Sequence, residues 1–469
     1  MINLNTYLSG LPTSDPITVA WWIFINGGWI FAVLPALWAA WTSWLTSRKH
    51  QYEHNIRYVL LAIDVPKETE QSPRAVEQIF SSLAATYSKG TIYQRLWQGK
   101  HQESFSFEIV SLGGYIQFLI RTPADYRDLI ESSIYAQYPD AEITEVEDYV
   151  DRVPLDFDTD AYDLWGTEFA LTKKSAYPLR TYPDFEHTLS GDFKDPMAAL
   201  LEILSRVNTD EDVWLQLLVT PCSDHWKAES AAEVKKIVEH KKHSGHGMIY
   251  WLFVELPLNT VCVIVEIAFA GIFEPNWCGN EYSGGKEVEI VRDITKLTPG
   301  EKAVVEGIEH KASKIGFHSK LRLVYWGKRE TFLKGRGVSA VVGAIQQFTA
   351  LNMNGFLPGK RVTTKAEYFL KQSRINRKQK SILKSYKIRS AHRGLGHGFI
   401  LNTEELASLY HFPVVTVKAP LVKKTETKKS EPPTLLPTLG GYLKPMSGAQ
   451  AVSETGGKGG PPSNLPFVD

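Results

Sequence analysis

Residues 17–47 form a run of apolar and small polar positions without a single charged side chain. A helix of about 20 apolar residues crosses the hydrocarbon core of a bilayer. The run is 31 residues long and therefore predicts a transmembrane helix. Asp15 is the only charge before it, whereas Arg48 and Lys49 follow directly. By the positive-inside bias, residues 1–16 are expected outside and the bulk of the chain inside the cell.

Aromatic and basic residues mark the ends of this run. Six of the thirteen tryptophans lie in it, and indole rings prefer the headgroup boundary of a membrane. The predicted membrane-anchor residues are Trp21, Trp22, Trp29, Trp38, Trp41, Trp44, Arg48 and Lys49. A cleaved signal peptide is disfavoured, because residues 1–16 contain no Lys or Arg.

The next segment, residues 51–152, alternates between strand and helix patterns. Gly113 and Gly114 separate two period-two runs and predict a tight hairpin. The order β-α-β-β-α-β is the ferredoxin-like arrangement of an antiparallel sheet backed by two helices. The predicted strands are 56–65, 104–110, 115–121 and 141–146, and the predicted helices are 75–87 and 122–138.

A second copy of the pattern is predicted over residues 153–352. It has strands at 167–172, 212–219 and 320–326 and helices at 195–207 and 338–351, and an insert of about 221–318 interrupts it. The predicted fold class is therefore α+β: an N-terminal transmembrane helix followed by two ferredoxin-like (β-α-β-β-α-β) units, the second interrupted by an amphipathic insert.

The insert contains a second apolar stretch, residues 248–273. Unlike the first, it has four polar positions on one helical face: Glu255, Asn259, Cys262 and Glu266. This pattern is typical of a helix that lies in the membrane surface, and a full span would bury two carboxylates. The alternatives for residues 248–273 are a helix packed in a protein core and a helix that spans the membrane.

Charge is segregated along the chain, although the formal net charge is zero. Residues 140–168 hold eleven acids and one base, whereas residues 360–393 hold twelve bases and one acid. In the basic segment Tyr368, Ile375 and Ile382 recur every seven positions and predict an apolar helical stripe, with Phe369, Leu383 and Tyr386 nearby. The candidate phosphate-binding residues are Lys371, Arg374, Arg377, Lys378, Lys380, Lys384 and Lys387.

Such a cationic helix face can contact the phosphates of DNA or of lipid. The alternative is a solvated face without a ligand. Residues 360–417 are expected to contain this basic helix and, after it, a C-terminal docking segment. Residues 418–469 are a Pro/Gly/Lys-rich tail with too few apolar residues to fold alone.

Catalytic motifs are weak in this sequence. The glycine-rich stretches around Lys286 and Lys458 lack the Ser or Thr that completes a nucleotide-binding loop. The three cysteines, Cys222, Cys262 and Cys278, form no paired framework, which fits a reducing cytoplasm. We therefore expect a non-enzymatic protein that needs no cofactor and no metal.

Two segments of the chain resemble a known family. Residues 107–149 (FEIVSLGGYIQFLIRTPADYRDLIESSIYAQYPDAEITEVEDY) and 399–413 (FILNTEELASLYHFP) are similar to the pre-motor region of membrane-anchored FtsK/HerA-like ATPases associated with type IV secretion and conjugative DNA transfer. The resemblance covers most of residues 50–435. In that family the P-loop motor follows a Lys/Pro-rich segment, whereas this chain ends where the motor is expected to begin.

The resemblance implies a non-enzymatic, membrane-anchored component of a type IV secretion-like or conjugative DNA-transfer apparatus. It implies a single-pass protein of the bacterial inner membrane whose cytoplasmic part docks a separate P-loop ATPase within a larger complex. Membrane lipid and DNA are further expected partners. The alternative is a membrane-bound nucleic-acid-binding protein that acts without a motor.

Overall fold

The structure is a computed structural model that describes residues 24–25, 29–66, 71–185, 195–239, 297–391, 393–396 and 398–413. Several predicted features lie outside these residues. They are Trp21, Trp22, the insert helix 248–273 with Glu255, Asn259, Cys262 and Glu266, and the tail 418–469.

Within the described residues, nine strands form one antiparallel sheet in the order β4-β1-β3-β2-β6-β7-β5-β8, with β9 paired to β7. The strands are β1 Tyr58–Asp64, β2 Phe105–Leu112, β3 Tyr115–Pro123, β4 Glu142–Glu145, β5 Tyr162–Leu171, β6 Glu211–Pro221, β7 Gly316–Lys328, β8 Phe356–Pro358 and β9 Phe399–Asn402. The chain is therefore α+β, as expected from the sequence.

The prediction of two ferredoxin-like units is wrong. Strand β2 pairs with β6 over eight residues, from Phe105↔Val219 to Leu112↔Asp212, so both halves of the chain belong to one continuous sheet. An edge left open at β2 would expose unpaired backbone groups beside apolar side chains, and pairing with β6 satisfies them.

Ten α-helices lie in the described part of the chain. They are α1 Ile30–Asn55, α2 Arg74–Leu83, α3 Ile92–Leu96, α4 Arg127–Gln137, α5 Met197–Ser205, α6 His225–Glu239, α7 Pro299–Ser313, α8 Ala340–Gln346, α9 Lys371–Lys387 and α10 Thr403–Leu409. The predicted hairpin is confirmed, since Gly113 and Gly114 connect β2 to β3 with φ values of 60° and 89°.

Successive strand residues point to opposite faces of the sheet, and each face is covered by its own hydrophobic core. Leu61, Ile109 and Leu323 face a large core with helices α2, α4, α5, α8 and α10. Their neighbours on the same strands, such as Val110 and Val324, face a smaller core that includes α9. Helix α9 is thus positioned on the second face of the central strands.

The prediction of a transmembrane helix over residues 17–47 is wrong as well. Among the described residues, no helix combines the length and the apolarity needed to cross a membrane. Helix α1 begins at Ile30 and continues to Asn55, so a charged half that includes Arg48 and Lys49 follows its apolar half. Leu45 is buried, which shows that α1 packs on the rest of the protein.

A half-buried carboxylate beside the β2–β3 hairpin predicts a pH effect. Asp212 accepts a hydrogen bond from the Gly113 backbone N–H at 3.1 Å, and burial raises the pKa of Asp212 from 3.8 to about 6. A raised folded-state pKa favours the protonated form, so this group's stabilising contribution is present below pH 4 and is lost as the pH rises through 6. Asp212→Asn should therefore raise the free energy of unfolding by about 1–3 kcal/mol at pH 7. Urea titrations should show the gain at pH 7 and almost none at pH 4; an equal gain at both pH values would contradict this origin.

Candidate phosphate-binding surface

One face of helix α9 is packed tightly on the sheet. Ile382, Leu383 and Tyr386 are fully buried in the smaller core with Trp214. A Cβ atom at Gly166 of β5 would lie 3.0 Å from Ile382 Cγ2, so glycine permits this close approach. Packing of this kind fixes the helix in one orientation and therefore determines which of its residues face outward.

Polar contacts also hold the middle of α9 on β5. The Gln379 side-chain amide donates to Asp163 Oδ1 and to the Leu164 carbonyl, both at 2.8 Å. Gln379 is buried, and such hydrogen bonds specify the rotation of a helix more strictly than apolar contacts do.

Arg389 holds the end of α9. Its guanidinium donates to both carboxylate oxygens of Glu108, at 2.8 and 3.1 Å, and to both oxygens of Asp148, at 2.6 and 2.9 Å. Arg389 is buried and has a left-handed backbone with φ 53°. A non-glycine residue holds this conformation only where its surroundings compensate for the cost, and here the two carboxylates do so.

Glu108 lies at the centre of this buried polar cluster. It also accepts from the Tyr149 hydroxyl at 2.7 Å and from the Gln216 amide at 3.0 Å. Burial disfavours its charged form, but Arg389 and the hydrogen bonds outweigh this effect and lower the pKa of Glu108. The carboxylate is therefore ionised and paired, which is a structural role rather than that of a proton-transfer group.

The acidic segment neutralises one side of the basic helix. Lys380 pairs with Asp156 at 2.6 Å, and Lys387 lies 3.8 Å from Asp151. These two candidate phosphate-binding lysines therefore already have carboxylate partners. The segregated charges that the sequence shows thus meet, at least in part, within the molecule.

Lys378 has a structural role. Its ammonium donates to the carbonyls of Thr363 and Lys365, both at 2.9 Å, and so closes the loop before α9. Burial and the nearby Arg374 lower the pKa of Lys378. Arg374 itself remains exposed and donates to the Glu367 carbonyl at 3.0 Å.

The remaining cations form what we call the open cationic face: Lys371, Arg374, Arg377 and Lys384. All four side chains are exposed. At 100° per residue, Arg377 and Lys384 lie on the side of α9 opposite Ile382, whereas Lys371 and Arg374 belong to the N-terminal part of the helix, in which no residue is buried. Within the described chain, Lys371, Arg377 and Lys384 have no carboxylate within 4.0 Å. The first turn of α9 has no acidic residue, so the positive end of the helix dipole adds to the potential at Lys371 and Arg374. This face can bind a polyanion.

An exposed apolar triplet precedes the open cationic face. Tyr368, Phe369 and Leu370 are 84, 90 and 79% exposed, and Tyr368 and Leu370 have positive φ values. The prediction that Tyr368 opens the apolar stripe of this helix, with Phe369 nearby, is therefore wrong, because the helix begins after both residues at Lys371. Sequence periodicity could not detect the left-handed backbone that turns these side chains outward.

The predicted membrane-anchor residues are distributed along α1. Trp29 and Trp38 are exposed, whereas Trp41 and Trp44 are half-buried. Arg48 lies over the Trp44 ring at 5.7 Å from its centroid. Burial lowers the pKa of Lys49, although the nearby Glu53 opposes this shift.

The docking segment, residues 399–413, is integrated into the larger core. Lys311 of α7 pairs with Glu405 of α10 at 3.0 Å, and both side chains are fully buried. His411 lies 2.9 Å from Asp195, and Lys314 bridges Glu404 to Glu77. These ion pairs thus hold the docking segment on the larger core.

The chain belongs to the family described as Domain of unknown function (DUF8128), whose model matches residues 45–425. The matched region contains the sheet, α9 and the docking segment. A comparison with curated proteins gave no match.

Proposed function

We propose that this chain is a non-enzymatic component of a type IV secretion-like or conjugative DNA-transfer apparatus. It acts at the cytoplasmic face of the bacterial inner membrane, binds DNA phosphates and docks a separate P-loop ATPase. The observation that best supports this function is the open cationic face. Its exposed cations lie on a helix that Ile382, Gln379 and Arg389 hold against the sheet.

DNA is favoured over lipid at this face by the neighbouring aromatic rings. Proteins that bind single-stranded nucleic acid combine cations for the backbone with aromatic rings on which bases stack. Tyr368 and Phe369 precede Lys371 and are almost fully exposed. Binding should have little sequence preference, since contacts to phosphates do not read bases.

Docking of an ATPase rests on the resemblance and on the docking segment. In the resembled ATPases the corresponding segment precedes the motor. Here Glu405 and His411 hold it on the larger core. A rigid connection of this kind suits a part that must keep a partner at a constant position.

The proposal predicts that the purified chain does not hydrolyse ATP. No loop of its sequence supplies a phosphate cradle, its lysine and the magnesium-binding hydroxyl together. A coupled ATPase assay on full-length protein should give the same rate as Lys286→Ala and Lys458→Ala variants. Turnover that persists through successive columns and disappears in either variant would contradict the proposal.

Affinity capture tests the docking role. The full chain is captured from detergent extracts of its native cells, and the bound proteins are identified by mass spectrometry. A P-loop ATPase that is retained specifically supports the proposal. DNA binding without any such ATPase would instead support the alternative of a nucleic-acid-binding protein that acts without a motor.

A further inference from the structure

Four aromatic rings from α1 and α3 lie in a row that we call the aromatic ladder. Ring centroids are 5.3 Å apart for Trp41 and Trp44, 5.4 Å for Trp44 and Trp97, and 6.3 Å for Trp97 and Tyr93. Helix α3 contributes Tyr93, and Trp97 follows directly after it. The ladder thus extends the predicted membrane-anchor residues with α3, whose sequence carries no membrane signal.

The ladder is exposed at the α3 end. Trp97 is 54% exposed, Tyr93 61% and the neighbouring Ile92 59%. Large apolar side chains of this kind are usually buried, and a contiguous exposed group marks an interaction surface.

The position of α3 against α1 is fixed. Gly99 has a φ of 71°, and a Cβ atom there would lie 2.3 Å from the Arg48 carbonyl oxygen. The Tyr52 hydroxyl donates to Glu103 at 3.0 Å, and His101 lies 3.3 Å from Glu53. The exposed residues of α3 are therefore held at the level of Trp44 and are not a loose loop.

The composition of α1 changes at this level. Its N-terminal half exposes Val33, Leu34, Leu37 and Trp38, which occupy about half of the circumference at 100° per residue. Arg48 follows the ladder and lies over Trp44. Along α1, apolar side chains are followed by aromatic rings and then by a cation. A lipid leaflet presents matching environments in the same order, from the acyl chains through the headgroup boundary to the phosphates.

We propose that α3 and the ladder form a lipid-interface platform, in which Ile92, Tyr93 and Trp97 lie among the headgroups of an anionic bilayer and Arg48 faces their phosphates. This inference rests on the membrane association in the proposed function. A protein groove is a poorer match, because it would have to enclose an apolar surface that extends around half of α1 as well as α3.

Site-specific photocrosslinking of the full chain tests the platform. Three variants carry a benzophenone amino acid: Tyr93→p-benzoylphenylalanine, Leu37→p-benzoylphenylalanine and, as a control, Leu351→p-benzoylphenylalanine. Leu351 is 98% exposed but lies between α8 and β8. Each variant is reconstituted with vesicles that contain radiolabelled phosphatidylglycerol and is then irradiated.

The platform predicts several-fold more lipid adduct at positions 93 and 37 than at position 351. Adduct at position 37 without adduct at position 93, or a protein adduct at position 93, would overturn the platform and leave the membrane association intact. Adduct at neither position would overturn both the platform and the membrane association, while the DNA-binding proposal would still be open to its own test.

Discussion

Replacement of Arg389 by Met is expected to lower the free energy of unfolding by about 3–5 kcal/mol, because it leaves a buried carboxylate without its counter-charge. Glu108 is fully buried and depends on Arg389 for both of its strongest contacts. Asp148 loses its partner at the same time. The end of α9 should loosen, because the buried guanidinium joins it to β2. Urea denaturation followed by tryptophan fluorescence measures the loss.

Two further variants separate the charge effect from lost packing. The double variant Glu108→Gln with Arg389→Met should recover part of the stability, since the uncompensated buried charge is removed. Lys380→Gln breaks an exposed ion pair on the same helix and should barely move the midpoint. Equal midpoints for Arg389→Met and Lys380→Gln would show that the buried cluster does not hold α9.

Lys311→Met is expected to produce the second large loss, again about 3–5 kcal/mol. Lys311 and Glu405 are both fully buried, and the Lys311 ammonium also donates to the Ile400 carbonyl at 3.0 Å. Burial lowers the pKa of Lys311, while Glu405 opposes this shift. Loss of the lysine should release the docking segment first, because both of these partners lie in it. Limited proteolysis should then cut within residues 399–413 before the sheet is digested.

The matched control for this prediction lies on the same helix. Lys302 is an exposed residue of α7, so Lys302→Met changes the same residue type without removing a buried pair. It should leave the midpoint and the cleavage pattern as in the parent protein. Protection of residues 399–413 in Lys311→Met would contradict the view that this buried pair holds the docking segment.

Local elements of the fold were predictable because their signals are local. The hairpin at Gly113 and Gly114 follows from backbone freedom, and β6 spans the strand predicted over residues 212–219. The joining of β2 to β6 was not predictable from periodicity, since it pairs residues far apart in sequence. Residues 105–111 of β2 are buried on both faces, although Ser106, Glu108 and Ser111 give the strand the alternating sequence that is typical of a half-exposed strand.

Helix α1 shows a different limit of sequence analysis. An uncharged run predicts where a helix is apolar, but it does not determine where the helix begins and ends. Here Arg48, Lys49 and Glu53 continue the same helix, and Leu45 packs on the protein. Tertiary contacts, which composition cannot show, determine these limits.

The basic helix was predictable as an amphipathic element, but the availability of its cations was not. Ile382, Leu383 and Tyr386 are buried as their spacing suggests. Lys380 and Lys378 resemble their neighbours in sequence, yet an aspartate pairs with one and backbone carbonyls bind the other. The aspartate comes from a distant part of the chain and the carbonyls from the loop before α9. The helical pattern shows neither contact, so only the fold separates the open cationic face from the paired cations.

A salt titration of DNA binding tests the central proposal most directly. The full chain, a triple variant (Lys371→Gln, Arg377→Gln, Lys384→Gln) and a charge-matched control (Lys328→Gln, Lys365→Gln, Lys380→Gln) are titrated against a labelled oligonucleotide. The control removes three exposed lysines that already pair with Asp210, Glu367 and Asp156. Vesicles of phosphatidylglycerol serve as competitor.

The proposal predicts that affinity of the full chain falls steeply with salt, because neutralised phosphates release counterions. The triple variant should lose roughly two to three units of the slope of log affinity against log salt, whereas the control should lose much less. Equal slopes for the triple variant and the control, or no binding of DNA by the full chain, would contradict the assignment of the open cationic face as a DNA-binding surface.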